Sequence, residues 1–89
     1  MSDRPAMMSN TERLAYMANQ IARNLAIEGP EQAARSTAEH IIKFWEPRMI
    51  ARFFAALETS DMGLNDIARA AVPILREQPR VKAAIAAGQ

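Results

Sequence analysis

Residues 29–47 read GPEQAARSTAEHIIKFWEP, and this stretch decides the architecture. Glycine followed by proline closes whatever helix precedes it: Gly29 supplies a left-handed cap, and Pro30 cannot continue a hydrogen-bond ladder. The same proline opens the next helix well, because the first helical position needs no N–H donor. Glu31 in that first turn suits the positive end of the helix dipole. Ala34, Ala38, Ile41, Ile42 and Trp45 then recur at helical spacing as an inner stripe, with Phe44 on its flank. Glu46-Pro47 ends the segment, since the residue before a proline avoids the α region.

Working outward on the N-terminal side, Ser9-Asn10-Thr11-Glu12 has the pattern of a capping box. A helix is expected from there to about Glu28, with Leu14, Met17, Ala18, Ile21 and Leu25 as its core stripe. On the C-terminal side a third helix starts near Pro47 and turns Met49, Ile50, Phe53 and Leu57 inward. It stops at Thr59-Ser60-Asp61-Met62-Gly63. Asn65 caps a fourth helix with Ile67, Ala70, Ala71 and Ile74 as its stripe. Pro73 inside it predicts a kink or a restart. The alanine-rich turns from Pro79 to Ala87 are short and weakly amphipathic, so helicity there is marginal in isolation. No window alternates as a strand does. The expected fold is all-α: a small bundle of three to four helices over residues 9–76, with a short, loose, weakly helical extension over residues 77–89.

With 89 residues and no internal repeat the chain is one domain. A core this small is thin, and the usual reinforcements are disulfides or metals. There is no cysteine, which excludes both a disulfide and a thiolate metal site. Eleven basic and ten acidic residues give a net charge of +1, not the basic footprint of a nucleic-acid binder. Residues 1–8 lack the apolar region of a signal peptide, and no stretch has the roughly 20 apolar residues that span a bilayer. A cytoplasmic protein is expected, with neither nucleic acid nor membrane as partner.

The inventory for catalysis is short. His40 is the single histidine, so a catalytic triad, a zinc site and a cysteine–histidine pair all lack residues. The three glycines, at 29, 63 and 88, form no phosphate loop. Glu39 and Glu46 lie seven apart on one helix, but Glu39 is also four residues from Arg35 and from Lys43. That spacing favours a solvated ion-pair ladder over an acid–base pair. No catalytic, cofactor-binding or metal-binding residue is assigned.

Two outer features suit protein contact. On the first helix, Tyr16, Gln20, Arg23 and Ile27 form a row opposite the core stripe, and tyrosine and arginine are common interface anchors. At the corner between the second and third helices, Lys43, Arg48 and Arg52 surround Phe44 and Trp45, and Pro47 stiffens the turn. A rigid corner carrying aromatic and arginine side chains makes a docking surface. His40 points away from the inner stripe, either simply to solvent or toward a partner. Exposed charges and a lone tyrosine are more often just solvated surface.

Met17-Ala18-Asn19-Gln20-Ile21-Ala22 and, more specifically, His40-Ile41-Ile42-Lys43-Phe44-Trp45-Glu46-Pro47-Arg48-Met49 resemble the delta subunit of soluble NAD-dependent formate dehydrogenases. Gly63-Leu64, Ala70-Ala71-Val72 and Leu75 are similar to the same family. The likeness spans roughly residues 12 to 76 and leaves residues 77–89 without a role. It implies a small accessory chain, without cofactor, that supports assembly or stability by binding the large catalytic (alpha) subunit. The partner subunits then hold the molybdopterin centre with molybdenum or tungsten, the iron–sulfur clusters and the flavin (FMN). A chain without cysteine cannot hold an iron–sulfur cluster in the usual way, which agrees. Two alternatives are a maturation chaperone that leaves after cofactor insertion and a small helical DNA-binding regulator. Against the latter, Phe53, Phe54 and Leu57 stand where a recognition helix needs polar side chains.

Overall fold

Each helix is bounded by a local signal. In the computed structural model, which describes residues 9–88, the first helix α1 (Asn10–Leu25) opens on a complete capping box. The Glu12 N–H donates to Ser9 Oγ at 3.1 Å, and the Ser9 N–H donates to Glu12 Oε1 at 2.9 Å. A 3₁₀ turn (Ala26–Glu28) tightens the exit. Gly29 at φ +94° then takes a conformation that a β-carbon disfavours. Helix α2 (Pro30–Phe44) follows, then α3 (Pro47–Leu57), α4 (Asp66–Arg76) and α5 (Pro79–Ala87). Pro30, Pro47 and Pro79 each stand in the first turn of their helix. Asn65 caps α4 by accepting the Ala68 N–H at 2.9 Å. The absence of a signal segment, read from residues 1–8, lies outside the described residues.

The architecture is all-helical, with five helices where three to four and an extension were expected. Its pairing is not that of a simple up-and-down bundle. Helix α2 packs most closely on α4, and α3 on α5, so each finds its partner two elements along. Helix α1 lies against α2, α4 and α3 and joins the two pairs. The body is flattened, 40 × 35 × 22 Å. Small residues line much of the buried α1 and α2 surfaces, namely Ala15, Ala18, Ala22, Ala33, Ala34 and Ala38. At the other end aromatics fill the core. The Trp45 and Phe53 rings meet edge to face at 5.4 Å, as do Phe53 and Phe54 at 5.5 Å, and the Arg76 guanidinium lies 4.9 Å from the Phe54 centroid.

Several expectations need correction. The buried row of α4 is Ala68, Ala71 and Leu75; Ala70 is exposed, and Ile67 and Ile74 are half-buried. Periodicity marks an apolar arc, and the joint grip of α1 and α2 selects which part of that arc is central. In α1 the buried row likewise shifts to Leu14, Ala15, Ala18 and Ala22, leaving Met17, Ile21 and Leu25 half-buried. Pro73 does not restart the chain: α4 is one helix from Asp66 to Arg76, with Pro73 exposed. Nor is the C-terminal segment loose. Val81 is fully buried and Ala84 nearly so. A β-carbon on Gly88 would stand 2.8 Å from Ala51 Cβ, so α5 ends in close contact with α3. Finally, Glu39 is ion-paired with neither Arg35 nor Lys43. Among the described residues the ion pairs are Arg69–Asp61 (3.6 Å) and Arg69–Asp66 (3.4 Å), and Arg35 donates to Gln32 instead. Arg69 is also anchored by its bond to the Leu64 carbonyl, whereas an exposed pair at helical spacing gains too little by itself to hold long side chains in place.

Candidate functional site

The last turn of α2 leaves apolar surface uncovered beside a groove, whereas Ile27 and Tyr16 are exposed elsewhere. Trp45 ends the helix in extended conformation, and Glu46-Pro47 sends α3 off in a new direction. Trp45 itself turns inward and is 3% exposed. Its neighbour Phe44 stays outside at 65% exposure, its ring tilted against His40 one turn earlier at 4.6 Å between centroids. Met17 and Ile21 of α1 face this turn from one side and Met49 of α3 from another, while Trp45 forms the floor. The result is an open apolar groove of about 320 Å³ with Gln20 and His40 at its rim.

The residues singled out in the sequence are divided by the structure among several surfaces. His40, Phe44 and Gln20 meet in this groove. Arg23 is exposed and donates to Gln20 Oε1 at 2.9 Å, so it stands at the same edge. Tyr16, half exposed, shares the row of α1 but lines a neighbouring groove with the loop between α3 and α4. Ile27, in the 3₁₀ turn, is 95% exposed. Lys43 lies beside Glu39, Ile42 and Arg80. Arg48 lines the cleft where α3 meets the end of α5, and Arg52 is exposed on α3. Arg80 is no bystander, because its guanidinium donates to the Ile42 carbonyl and ties α5 to α2.

Asn19 was not singled out, yet it organises this end of the molecule. Its Nδ2 donates to the Gly63 carbonyl (3.1 Å), its Oδ1 accepts the Asn65 N–H (2.9 Å), and its own carbonyl accepts from Asn65 Nδ2 (3.3 Å). The loop it holds is also braced from within. Ser60 Oγ accepts the Met62 N–H and Asp61 Oδ1 accepts the Gly63 N–H, at 2.8 and 2.9 Å. Arg69 donates to the Leu64 carbonyl at 2.7 Å. These bonds hold Met62 at φ +57°, a left-handed conformation rare for a methionine. Two signals mark it in the sequence: it lies in the Met17–Ala22 stretch that resembles the delta subunit, and it is an asparagine in the middle of an apolar helix, where its side chain competes with the backbone.

Chemically, the groove offers apolar area, one aromatic pair and hydrogen-bonding groups at the rim. Among the described residues no cluster of three or more histidine and carboxylate side chains is arranged to hold a metal ion, and no helix is long and apolar enough to cross a membrane. Such a surface suits recognition of another protein.

No individual characterised protein and no solved structure matches the chain significantly. The family model described as NADH-dependent formate dehydrogenase delta subunit, FdsD, matches residues 13–72, which takes in more than half of the chain and every residue lining the groove. The chain therefore belongs to the delta-subunit family of NADH-dependent formate dehydrogenases.

Proposed function

We propose that the chain is a non-catalytic accessory subunit that binds the catalytic alpha subunit of a cytoplasmic formate dehydrogenase and stabilises it or assists its assembly. The molybdopterin, iron–sulfur and flavin cofactors belong to the partner subunits. The observation that carries this reading is the uncovered groove at the end of α2, where Phe44 stays 65% exposed within the segment matched to the family. Full burial of a phenylalanine is worth about 1.5–3 kcal/mol, and a partner surface would recover the part that Phe44 forgoes. The ligand inventory supports it as well, with one histidine and no cysteine in 89 residues. No observation favours a DNA-binding regulator, since α3 turns Phe53 and Phe54 into the core.

The test is copurification from native cells on a tag carried by this chain. Alpha subunit at a constant ratio in the active complex supports a permanent subunit. Association restricted to cofactor-free alpha subunit indicates a chaperone. No alpha subunit at all would sink the reading. Arg48→Lys and Arg48→Ala test the α2–α3 corner in the same assay, and both are expected to weaken recovery of the alpha subunit. The control is Lys82→Ala, an exposed position on α5. Arg80→Ala is unsuitable, because it breaks the bond to Ile42.

A further inference from the structure

We propose that the groove at the end of α2 receives a short acidic amphipathic helix of the partner subunit. One large apolar side chain of that helix seats against Phe44, and its carboxylates face Arg23, Lys43 and Arg52. This deepens the reading above and rests on it.

Three observations select this occupant. The first is the shape and lining of the groove. Met17, Ile21 and Met49 wall it and Trp45 floors it, so it presents side chains from three helices and no strand edge. A segment bound in extended conformation would find no backbone ladder to join. Its own N–H and C=O groups need partners in any dry contact, and a helix satisfies them internally.

The second is charge. Around the groove, residues 17–23 and 39–52 hold Arg23, Lys43, Arg48 and Arg52 against Glu39 and Glu46, with Glu39 beside Lys43 and with Arg48 and Glu46 both in the cleft toward α5. The whole chain is only +1, so the remainder is net acidic and the basic charge is concentrated here. Arg23, Lys43 and Arg52 each stand three residues beyond a groove residue, namely Gln20, His40 and Met49. That spacing puts one cation on the same side of each contributing helix. All four cations are exposed, and none is ion-paired among the described residues.

The third observation weighs against the simplest alternative, a second copy of this chain. A two-fold dimer through this face would set Arg23, Lys43 and Arg52 against their own copies, with Glu39 beside Lys43 as the nearby carboxylate. Like charges brought together in this way oppose association.

The experiment uses the assembled enzyme. Phe44 is replaced by a photo-crosslinking benzoylphenylalanine, the complex is irradiated, and the adduct is sequenced by mass spectrometry. The expected adduct is one partner segment with an apolar residue flanked by Asp or Glu at three- or four-residue spacing. In parallel, Phe44→Ser and the double variant Lys43→Glu/Arg52→Glu should each lower retention in the complex about tenfold at ~0.1 M salt. All three positions are exposed, so the melting temperature of the isolated variants should hold. An adduct with a second delta chain, with a neutral or basic segment, or with nothing while the chain still copurifies would overturn the proposal and leave the subunit reading standing. If the wild-type chain fails to copurify with the alpha subunit, the reading itself falls.

Discussion

Asn19 and Trp45 show two ways in which a single side chain holds this protein together. Asn19 joins α1 to the loop before α4 through three hydrogen bonds, to partners 44 and 46 residues away. Asn19→Ala leaves the Gly63 carbonyl and the Asn65 N–H without these partners. It should cost about 1–3 kcal/mol, seen as a lower melting temperature with the helical signal kept. Trp45 acts through packing. It is 3% exposed and meets Phe53 edge to face, so Trp45→Ala should cost about 3–5 kcal/mol in thermal or urea melts. A loss below about 1 kcal/mol would mean that the indole is not part of the core. The two residues also differ in legibility. Trp45 is readable because a proline-closed helix with a clear stripe puts it on the inner face. Asn19 is not, because its partners are brought near only by the packing of α1 on α4.

At the scale of elements, the short turns decide which helices meet. Glu46-Pro47 and Gln78-Pro79 each end one helix in extended backbone and start the next at once. There is then no loop long enough to fold consecutive helices back on each other, and contact passes to the element after next. This is why α5 belongs to the core despite its weak pattern. It contributes one buried valine, one buried alanine and a glycine that lets its end approach Ala51. An alanine-rich helix has little amphipathic contrast, yet small side chains are what close packing needs. Val81→Ala should cost about 2 kcal/mol, from two lost methyl groups and the cavity they leave. Lys82→Ala beside it should leave the melting temperature unchanged within about 0.5 kcal/mol. Equal effects from the two would mean that α5 does not pack as described.

The whole molecule is a thin body, 22 Å in its shortest dimension, with much of its contact surface made by alanine. Such a body has little room for an enclosed site, and its sequence has few groups with which to build one. The purified chain is therefore expected to bring no stoichiometric metal, flavin, molybdopterin or NAD from its native host. Elemental analysis and absorbance beyond the aromatic band check this, and a bound chromophore at unit ratio would refute it. By itself the sequence determined the helical class, the caps at Ser9, Gly29 and Asn65, the stop at Pro47 and the likeness to the delta subunit, because each depends on residues within a turn or two of one another. Only the tertiary structure decided that α2 pairs with α4 and α3 with α5, that Asn19 clamps a distant loop, and that Phe44, His40 and Gln20 share a groove while Arg48 looks toward α5. Those outcomes depend on which apolar arcs meet in three dimensions, and local periodicity carries no record of the partner.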